Sequence, residues 1–163
     1  MTPARVAYIG LGSNLADPRA QVERAVAALR HLPGSRLLQR SPLYASAPWG
    51  VVDQPEFVNA VAAIETSLPA RDLMQALLAI EREAGRVRGG ARWGPRILDL
   101  DLLLYGDAVI DEPGLHVPHP YLHERAFVLL PLADVASQLV LPGRGPVAVL
   151  AAAADTSGLR RLD

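Results

Sequence analysis

The hydrophobic residues of this chain recur with two different periods, and each period predicts its own kind of element. Residues 5–11, which contain the apolar run Val6 to Ile9, are typical of a buried strand. Asp17 and Pro18 form a typical helix start, and the apolar residues after them recur at helical spacing until Pro33 and Gly34. The first 34 residues therefore predict a strand followed by a helix.

The pattern of residues 37–105 predicts three more strands and one more helix. Residues 37–44 are strand-like but interrupted by Pro42, and residues 57–66 form a strand rich in Val and Ala. A second helix begins at Pro69, and a last strand covers residues 97–105. The buried face of this second helix is marked by Leu73, Leu77, Ile80 and Ala84.

The order of these elements is strand, helix, strand, strand, helix, strand. This order is typical of the α+β class and of the ferredoxin-like βαββαβ sandwich, with helices packed on one face of a mostly antiparallel sheet. Short C-terminal elements are added after residue 105. The chain has 163 residues and no repeat or linker, so we expect a single domain over residues 1–163.

The amino-acid composition restricts the kinds of binding partner that we expect for this chain. The formal net charge is −1, which gives no indication of nucleic acid or an anionic membrane as a partner. There is no cysteine, which excludes disulfides and thiolate chemistry. The longest apolar stretch is far below the roughly 20 residues that span a bilayer, and the N-terminal run is too short for a signal peptide. We expect a cytoplasmic monomer that binds neither nucleic acid nor membrane.

All 16 basic residues are arginine. Without lysine, a Schiff-base mechanism and a P-loop lysine are both excluded. Gly10 and Gly12 begin a pattern like the dinucleotide-binding fingerprint, but Leu15 occupies the position of its third glycine. Neither of these familiar nucleotide-binding motifs is therefore present.

Asp99 and Asp101 occupy alternate positions, separated by Leu100, in the apolar strand predicted over residues 97–105. Alternate strand residues share a face, so both carboxylates point the same way, with α-carbons roughly 6–7 Å apart. Mg²⁺ suits such a pair because it commonly joins a few carboxylates to substrate phosphates. The alternative is a pair of solvated aspartates, or aspartates in ion pairs with arginines.

A cluster of arginines precedes these aspartates. The cluster consists of Arg82, Arg86, Arg88, Arg92 and Arg96. Guanidinium groups present paired donors that suit phosphate oxygens, and four glycines between residues 85 and 94 would allow the segment to close as a lid. Together with the aspartates, the cluster predicts a polyphosphate site. By itself it is equally typical of a solvated loop paired with Glu81 and Glu83.

Several residues are candidates for binding a flat heterocycle. Trp49, Phe57, Trp93 and Phe127 could stack on it. Asn59 is a polar residue within an apolar strand, and its amide could pair with the edge of a pterin or a purine. His119 and Arg125 could contact phosphate. The alternative readings are aromatic core residues and an ordinary loop histidine.

Five segments taken together resemble the 6-hydroxymethyl-7,8-dihydropterin pyrophosphokinase family over nearly the whole chain. The most specific is Arg-Trp-Gly-Pro-Arg-Ile-Leu-Asp-Leu-Asp at residues 92–101. The others are Gly-Ser-Asn-Leu at 12–15, Asp-Gln-Pro-Glu-Phe-Val-Asn at 53–59, Gly-Arg-Val-Arg at 85–88 and Val-Pro-His at 117–119.

The resemblance implies a ferredoxin-like fold and the transfer of pyrophosphate from ATP to the hydroxymethyl oxygen of the pterin, leaving AMP. It implies that Asp99 and Asp101 bind two Mg²⁺ ions. The implied catalytic residues are Arg86, Arg92, Arg96, Asp99, Asp101 and His119. The implied ATP contacts are Glu81, Arg86, Arg88, Arg96, His119 and Arg125. The implied pterin contacts are Ser46, Ala47, Phe57, Asn59, Trp93 and Phe127.

Two other functions stay open on the sequence. One is a different Mg²⁺-dependent nucleotidyl or phosphoryl transferase, since polymerase-β-like enzymes also combine Gly-Ser with Asp-x-Asp, although Ser13 and Asp99 are far apart here. The other is a ferredoxin-like nucleic-acid-binding module, because RNA-binding domains share the βαββαβ order. Those domains carry central aromatic residues and a basic face, which this chain lacks.

Overall fold

The computed structural model describes residues 3–15, 17–46, 56–86 and 98–162. These residues form four helices: α1 (Pro18–Leu29), α2 (Ala70–Arg86), α3 (Ala126–Val135) and α4 (Val147–Ala153). They also form ten strands: β1 (Arg5–Ser13), β2 (Ser35–Arg40), β3 (Tyr44–Ser46), β4 (Phe57–Thr66), β5 (Asp99–Tyr105), β6 (Ile110–Glu112), β7 (Leu115–Val117), β8 (Val140–Leu141), β9 (Gly145–Pro146) and β10 (Leu159–Arg161).

The main sheet has six strands in the order β10, β3, β4, β1, β5, and β2 also pairs with β4. All of its recorded pairings are antiparallel. The central strand β1 pairs with β4 along its whole length, from Arg5 opposite Thr66 to Ser13 opposite Val58. The predicted α+β class and the mostly antiparallel sheet are therefore confirmed.

The strand predicted to be interrupted at Pro42 is divided into β2 and β3, which pair with different halves of β4. Ser41 fills the break, because its N–H donates to the Val61 carbonyl at 2.8 Å and its Oγ accepts from the Val61 N–H at 2.9 Å. Proline has no N–H to offer the ladder, which is why the break falls here.

The predicted start of the first helix is also confirmed. Asp17 is the N-cap of α1, and its side chain accepts a hydrogen bond from the backbone N–H of Ala20 at 3.3 Å. Pro18 occupies the first helical position, where a missing N–H costs nothing. The cap fixes where α1 begins after the end of β1.

Helices cover both faces of the sheet, which differs from the prediction of helices on one face. The two predicted helices, α1 and α2, do share a face, and their core includes Ile9, Val22, Leu73 and Leu100. The C-terminal helices α3 and α4 cover part of the opposite face through a second core. This second core includes Val61, Leu103, Leu129, Leu132 and Val147. Within the described ranges, no helix has the length and apolar character needed to cross a bilayer.

Candidate active site

Strand alternation places Asp99 and Asp101 on the sheet face opposite α1 and α2. Leu100 and Leu102 point into the first core, whereas Asp99 is half-buried and Asp101 is exposed on the other face. The prediction that the two carboxylates share one face, with leucines on the other, is thus confirmed. On this face they border a cleft of about 990 Å³.

Besides β5, four other parts of the chain border the cleft. These are β1 through Gly10 and Gly12, β4 through Phe57 and Asn59, the start of α3 through Arg125 and Phe127, and the C-terminal residues Asp155, Ser157 and Leu159. Ser46 and Glu124 also line it. Seven of the residues predicted from the sequence to bind substrate or metal therefore lie around one cavity, namely Ser46, Phe57, Asn59, Asp99, Asp101, Arg125 and Phe127.

The floor of the cleft is a row of residues across three neighbouring strands. Gly12 lies opposite Asn59 of β4 on one side and opposite Asp99 of β5 on the other. With neighbouring strands about 4.8 Å apart, the α-carbons of Asn59 and Asp99 are roughly 10 Å apart. Gly12 adds no side chain to the space between them.

The Asn59 side chain is held in one orientation. It is only 6% exposed, and its Nδ2 donates to the Ser46 Oγ at 3.0 Å. Its Oδ1 lies over Gly12, where a β-carbon would be 2.8 Å away. Because Asn59 lines the cleft, we expect its amide to be available to a ligand as a hydrogen-bonding group.

Arg125 and Phe127 are positioned by the first turn of α3, since Arg125 is its N-cap. The Arg125 guanidinium lies 5.7 Å from the centre of the Phe127 ring and 5.3 Å from the centre of the Tyr121 ring. Both distances fit cation–π contacts. The cation is thus held at the edge of the cleft by two aromatic rings.

His119 is placed near Asp101 by an irregularity in β5. The pairing of β1 with β5 shifts by one residue at Leu103, and the carbonyl of Leu103 accepts the His119 backbone N–H at 3.0 Å. The Val117–Pro118 peptide bond, which comes shortly before His119 in the chain, is cis. His119 borders a smaller cavity of about 230 Å³ beside the main cleft, together with His123 and Arg144.

Burial lowers the pKa of His119, the charge of Asp101 opposes that shift, and the charge of Arg125 reinforces it. The ring is therefore neutral near pH 7. Its Nδ1 accepts a hydrogen bond from the Tyr121 N–H at 3.3 Å, which places the proton on Nε2. His119 can accordingly act as an uncharged donor.

Glu81 of α2 contacts β5, the strand that carries the two aspartates. Its Oε2 accepts a hydrogen bond from the backbone N–H of Leu100 at 2.7 Å. Leu100 lies between the two aspartates on β5, and β5 is the last strand of the sheet on that side. In this structure Glu81 is thus bonded to the strand that carries the carboxylates.

Sequence reasoning did not assign a role to three residues of this region. Asp155 and Ser157 line the cleft, although nothing in the sequence of the C-terminal segment indicates it. Asn14 is completely buried, and within the described ranges neither polar atom of its side chain has a hydrogen-bond partner. Its polar character directly after an apolar strand was the signal that could have identified it.

Several predicted site residues lie outside the described residues. They are Ala47, Trp49, Arg88, Arg92, Trp93 and Arg96. The backbone of Arg86 ends α2, but its side chain is also outside the described part. The arginine cluster and the predicted lid therefore stay predictions.

The donor set fits Mg²⁺ bound jointly with a substrate. Among the described residues, no group of three or more His, Asp or Glu side chains could hold a metal ion. Asp99 and Asp101 offer two carboxylates on the wall of an open cleft. Mg²⁺ typically takes one or two carboxylates and completes its shell with water and substrate phosphates, so this pair suits it.

A carboxylate pair, a buried amide and an aromatic ring thus meet at one cleft of an antiparallel sheet. This combination defines the class of α+β enzymes that bind a small polar substrate in a preformed site. Residues 8–137 match the sequence profile of the family described as 7,8-dihydro-6-hydroxymethylpterin-pyrophosphokinase (HPPK). The chain belongs to this family.

Full-length relatives support this membership. A 2-amino-4-hydroxy-6-hydroxymethyldihydropteridine pyrophosphokinase of Pseudomonas aeruginosa is 54% identical over 155 residues, which is 95% of each chain. Proteins of the same name are 45% identical in Methylorubrum extorquens, over 96% of this chain and 98% of the relative, and 50% identical in Haemophilus influenzae, over 83% and 84%.

Solved structures of similar fold are more distant in sequence. A Plasmodium falciparum HPPK-DHPS triple mutant crystallised with SDX-DHP has a TM-score of 0.73 at 15% identity. The wild-type protein crystallised with pterin and p-hydroxybenzoate has a TM-score of 0.68 at 14% identity. The match covers 93% of this chain but only 44% and 42% of those longer chains, and it bears on the fold alone.

Proposed function

We propose that the protein transfers pyrophosphate from ATP to the hydroxymethyl oxygen of 6-hydroxymethyl-7,8-dihydropterin, giving AMP and the pterin diphosphate in folate biosynthesis. Family membership supports this reaction, with ATP and the pterin as its two substrates. The structural observation that carries the proposal is that the Asp99 and Asp101 pair borders the same cleft as Asn59 and Phe127.

The fold that we propose for the family domain is ferredoxin-like. If β2 and β3 count as one interrupted strand, the sheet order from one side is second, third, first and fourth strand, with β10 added outside. The two crossover helices α1 and α2 share a face, which supports this assignment. We extend the domain to residues 1–163, since β10 pairs with β3 of the same sheet.

The pterin end of the cleft is assigned to Asn59, Phe57, Phe127 and Ser46. The fixed amide of Asn59 would pair with the edge of the heterocycle, while the aromatic rings offer a stacking surface for its faces. Ser46 orients the amide through its hydrogen bond with Nδ2. By resemblance, the backbone of Ala47 and the ring of Trp93 complete this end.

The phosphate end is assigned to Asp99 and Asp101, which would hold two Mg²⁺ ions, together with Arg125 and His119. When bound, the metal ions neutralise the polyphosphate and align it for in-line displacement. Arg125 would contact a phosphate oxygen with its guanidinium, and neutral His119 would donate from Nε2. By resemblance, Glu81, Arg86, Arg88, Arg92 and Arg96 act at this end.

The reaction requires orientation more than a strong base. The pterin hydroxyl oxygen attacks the β-phosphorus of ATP, and the bond from that phosphorus to the oxygen bridging the α- and β-phosphates breaks. AMP leaves with the bridging oxygen, and the hydroxyl proton passes to solvent. Asn59 and the aromatic rings hold the nucleophile, while Arg125 stabilises the charge that develops on the transferred group.

The identity of the nucleotide product tests this function. The purified protein is incubated with Mg²⁺, ATP and the hydroxymethyl dihydropterin, and the nucleotides are separated. AMP formation that depends on the pterin is expected. ADP would indicate ordinary phosphoryl transfer, release of pyrophosphate would indicate a nucleotidyltransferase, and nucleic-acid binding without turnover would indicate a binding module; each outcome would overturn the proposal.

Two expectations about the state of the protein stay predictions. We propose that it works in the cytoplasm, where its co-substrate ATP is produced. A monomer is expected because the proposed site is assembled from a single chain. Sedimentation of the purified protein at micromolar concentration measures its mass directly.

A further inference from the structure

The C-terminal turn between α4 and β10 forms one wall of the cleft through Asp155, Ser157 and Leu159. This wall lies outside the family match, which ends at residue 137. It nevertheless borders the same space as Asn59 and Ser46. The wall is therefore a part of the site that the family resemblance leaves without a role.

The wall is fixed to the end of the cleft that carries Asn59. Leu159 of β10 lies opposite Ser46 of β3, and the Ser46 Oγ accepts the hydrogen bond of the Asn59 amide. Beyond the turn, Arg160 binds both carboxylate oxygens of Glu56, at 3.3 and 3.2 Å. The strand thus holds the turn beside the proposed pterin contacts rather than beside His119.

Asp155 is a solvent-exposed anion on this wall. Its Oδ1 accepts the backbone N–H of Ser157 at 3.0 Å, which closes a local turn and limits the rotation of the carboxylate. Hydrogen bonds from the Ser157 side chain and backbone lower the pKa of Asp155. No ion pair neutralises Asp155 within the described ranges, and its carboxylate keeps further acceptor capacity.

Carboxylates line both ends of the cleft, but only those at the proposed phosphate end are accompanied by a basic side chain among the described lining residues. Arg125 is the only basic side chain among the described lining residues, and it lies at the start of α3. An unneutralised carboxylate repels phosphate but accepts hydrogen bonds from N–H groups, roughly twice as strongly as a neutral acceptor does. A pterin carries such donors on its ring nitrogen and its exocyclic amino group, whereas ATP brings its negative charge to the opposite end.

We propose that Asp155, oriented by Ser157, accepts hydrogen bonds from the N–H groups of the heterocycle and is a specificity-determining residue of the pterin site. This inference rests on the function proposed above and adds a contact from the C-terminal wall. In this arrangement Asn59 contacts the heterocycle from the floor of the cleft, and Asp155 contacts it from the side.

The test is substrate discrimination in Asp155→Asn, an isosteric change that removes the charge. Initial rates are measured with the hydroxymethyl dihydropterin and with an analogue that lacks the exocyclic amino group. The wild type is expected to prefer the amino substrate, and Asp155→Asn to lose about tenfold of that preference, as expected for one charge-assisted hydrogen bond. The KM for ATP is expected to stay unchanged.

Asp107→Asn is the matched control, because Asp107 is an exposed turn aspartate that does not line the cleft. Ser157→Ala keeps the charge but removes an orienting hydroxyl, and a smaller loss of preference is expected. An unchanged preference in Asp155→Asn, or an equal loss in Asp107→Asn, would overturn the proposal.

Binding of the pterin alone, followed by fluorescence without ATP, separates this proposal from the proposed function. If the wild type forms no AMP but Asp155→Asn still binds the amino heterocycle about tenfold more weakly, the reaction assignment fails and the contact stands. If AMP forms normally while the variant binds both heterocycles like the wild type, the contact fails and the reaction stands.

Discussion

At Gly12, a β-carbon would lie 2.8 Å from the Oδ1 of Asn59, closer than two such atoms can approach. The Asn59 amide cannot easily move away, because it is buried and its Nδ2 is bonded to Ser46. Gly12 is thus required by the orientation of its neighbour on β4, and not by its own backbone conformation. This relationship couples the sheet to the proposed pterin contact.

Gly12→Ala is expected to raise the KM for the pterin about tenfold, because the displaced amide loses one hydrogen bond to the substrate. Overpacking should also lower the free energy of unfolding by about 1–3 kcal/mol. Steady-state kinetics and urea unfolding measure the two effects. Gly10→Ala is the control, because the three atoms nearest to its β-carbon would belong to the Leu103 side chain, at 3.4–3.6 Å, and not to the Asn59 amide. A comparable rise in KM for Gly10→Ala would contradict the explanation.

Asp101→Ala is expected to abolish pyrophosphoryl transfer while leaving the fold intact. Asp101 is exposed on the cleft wall, so its removal disturbs no core contact. Loss of this charge should slow AMP formation by at least about 10²-fold, the size seen when one preorganised electrostatic group is removed. AMP release is measured over a range of Mg²⁺ concentrations.

Thermal unfolding with and without Mg²⁺ and ATP provides the second measurement for Asp101→Ala. The wild type should gain stability from the ligands, and the variant should gain much less. Retained turnover in this variant would remove Asp101 from the proposed metal site. Asp107→Asn serves again as a surface control.

Glu81→Ala is expected to lower the free energy of unfolding by about 1–2 kcal/mol, because the Leu100 N–H loses a charged acceptor on the edge of the sheet. Glu81→Gln keeps an acceptor oxygen and should restore part of this loss. Hydrogen exchange of the Leu100 amide reports on the contact directly. An amide that stays equally protected in Glu81→Ala would show that the hydrogen bond does not stabilise β5.

Ionisation of Tyr44 is expected to lower the free energy of unfolding in alkaline solution. Burial and the hydrogen bond that its hydroxyl donates to Asp134 raise the pKa of Tyr44 to about 12. Since the unfolded tyrosine ionises near pH 10, the contribution of this group is complete below pH 10 and is lost as the pH rises from 10 to 12. The free energy of unfolding should therefore fall across that window.

Tyr44→Phe tests this assignment, because phenylalanine cannot ionise. The variant should be about 1 kcal/mol less stable than the wild type at pH 8, the usual size of one hydrogen bond. It should also show a smaller decrease between pH 10 and 12. Urea unfolding at both pH values measures this, with Tyr121→Phe as an exposed control. Parallel pH dependence in Tyr44→Phe and the wild type would exclude Tyr44 as the cause.

Short-range sequence patterns predicted several elements in the N-terminal half of the chain correctly. The strand predicted at residues 57–66 has those bounds, and Asp17 caps α1 as its position before Pro18 predicted. These features depend on short-range chemistry, namely side-chain alternation, a capping carboxylate and the missing N–H of proline. The shared face of Asp99 and Asp101 was predictable for the same reason.

Features that depend on distant parts of the chain were not predictable in this way. Every residue of α3 from Ala126 to Leu132 is apolar, so no periodicity indicates which face the helix buries or which layer it joins. The irregularity at Leu103 that positions His119 leaves no mark in a run of leucines. The position of Asp155 depends on how β10 meets β3, which is a tertiary contact.

The separation of the two cores has a consequence for engineering this protein. The core under α1 and α2 touches the sheet from behind, whereas the core under α3 shares its helix with Arg125 and Phe127. Thermostabilising substitutions are best sought behind the sheet, for example at Val22, because α1 carries none of the residues proposed for the site. Variant libraries intended to change which heterocycle is bound should instead target the opposite face of the sheet. Repacking the first turn of α3 there changes the shape of the cleft itself.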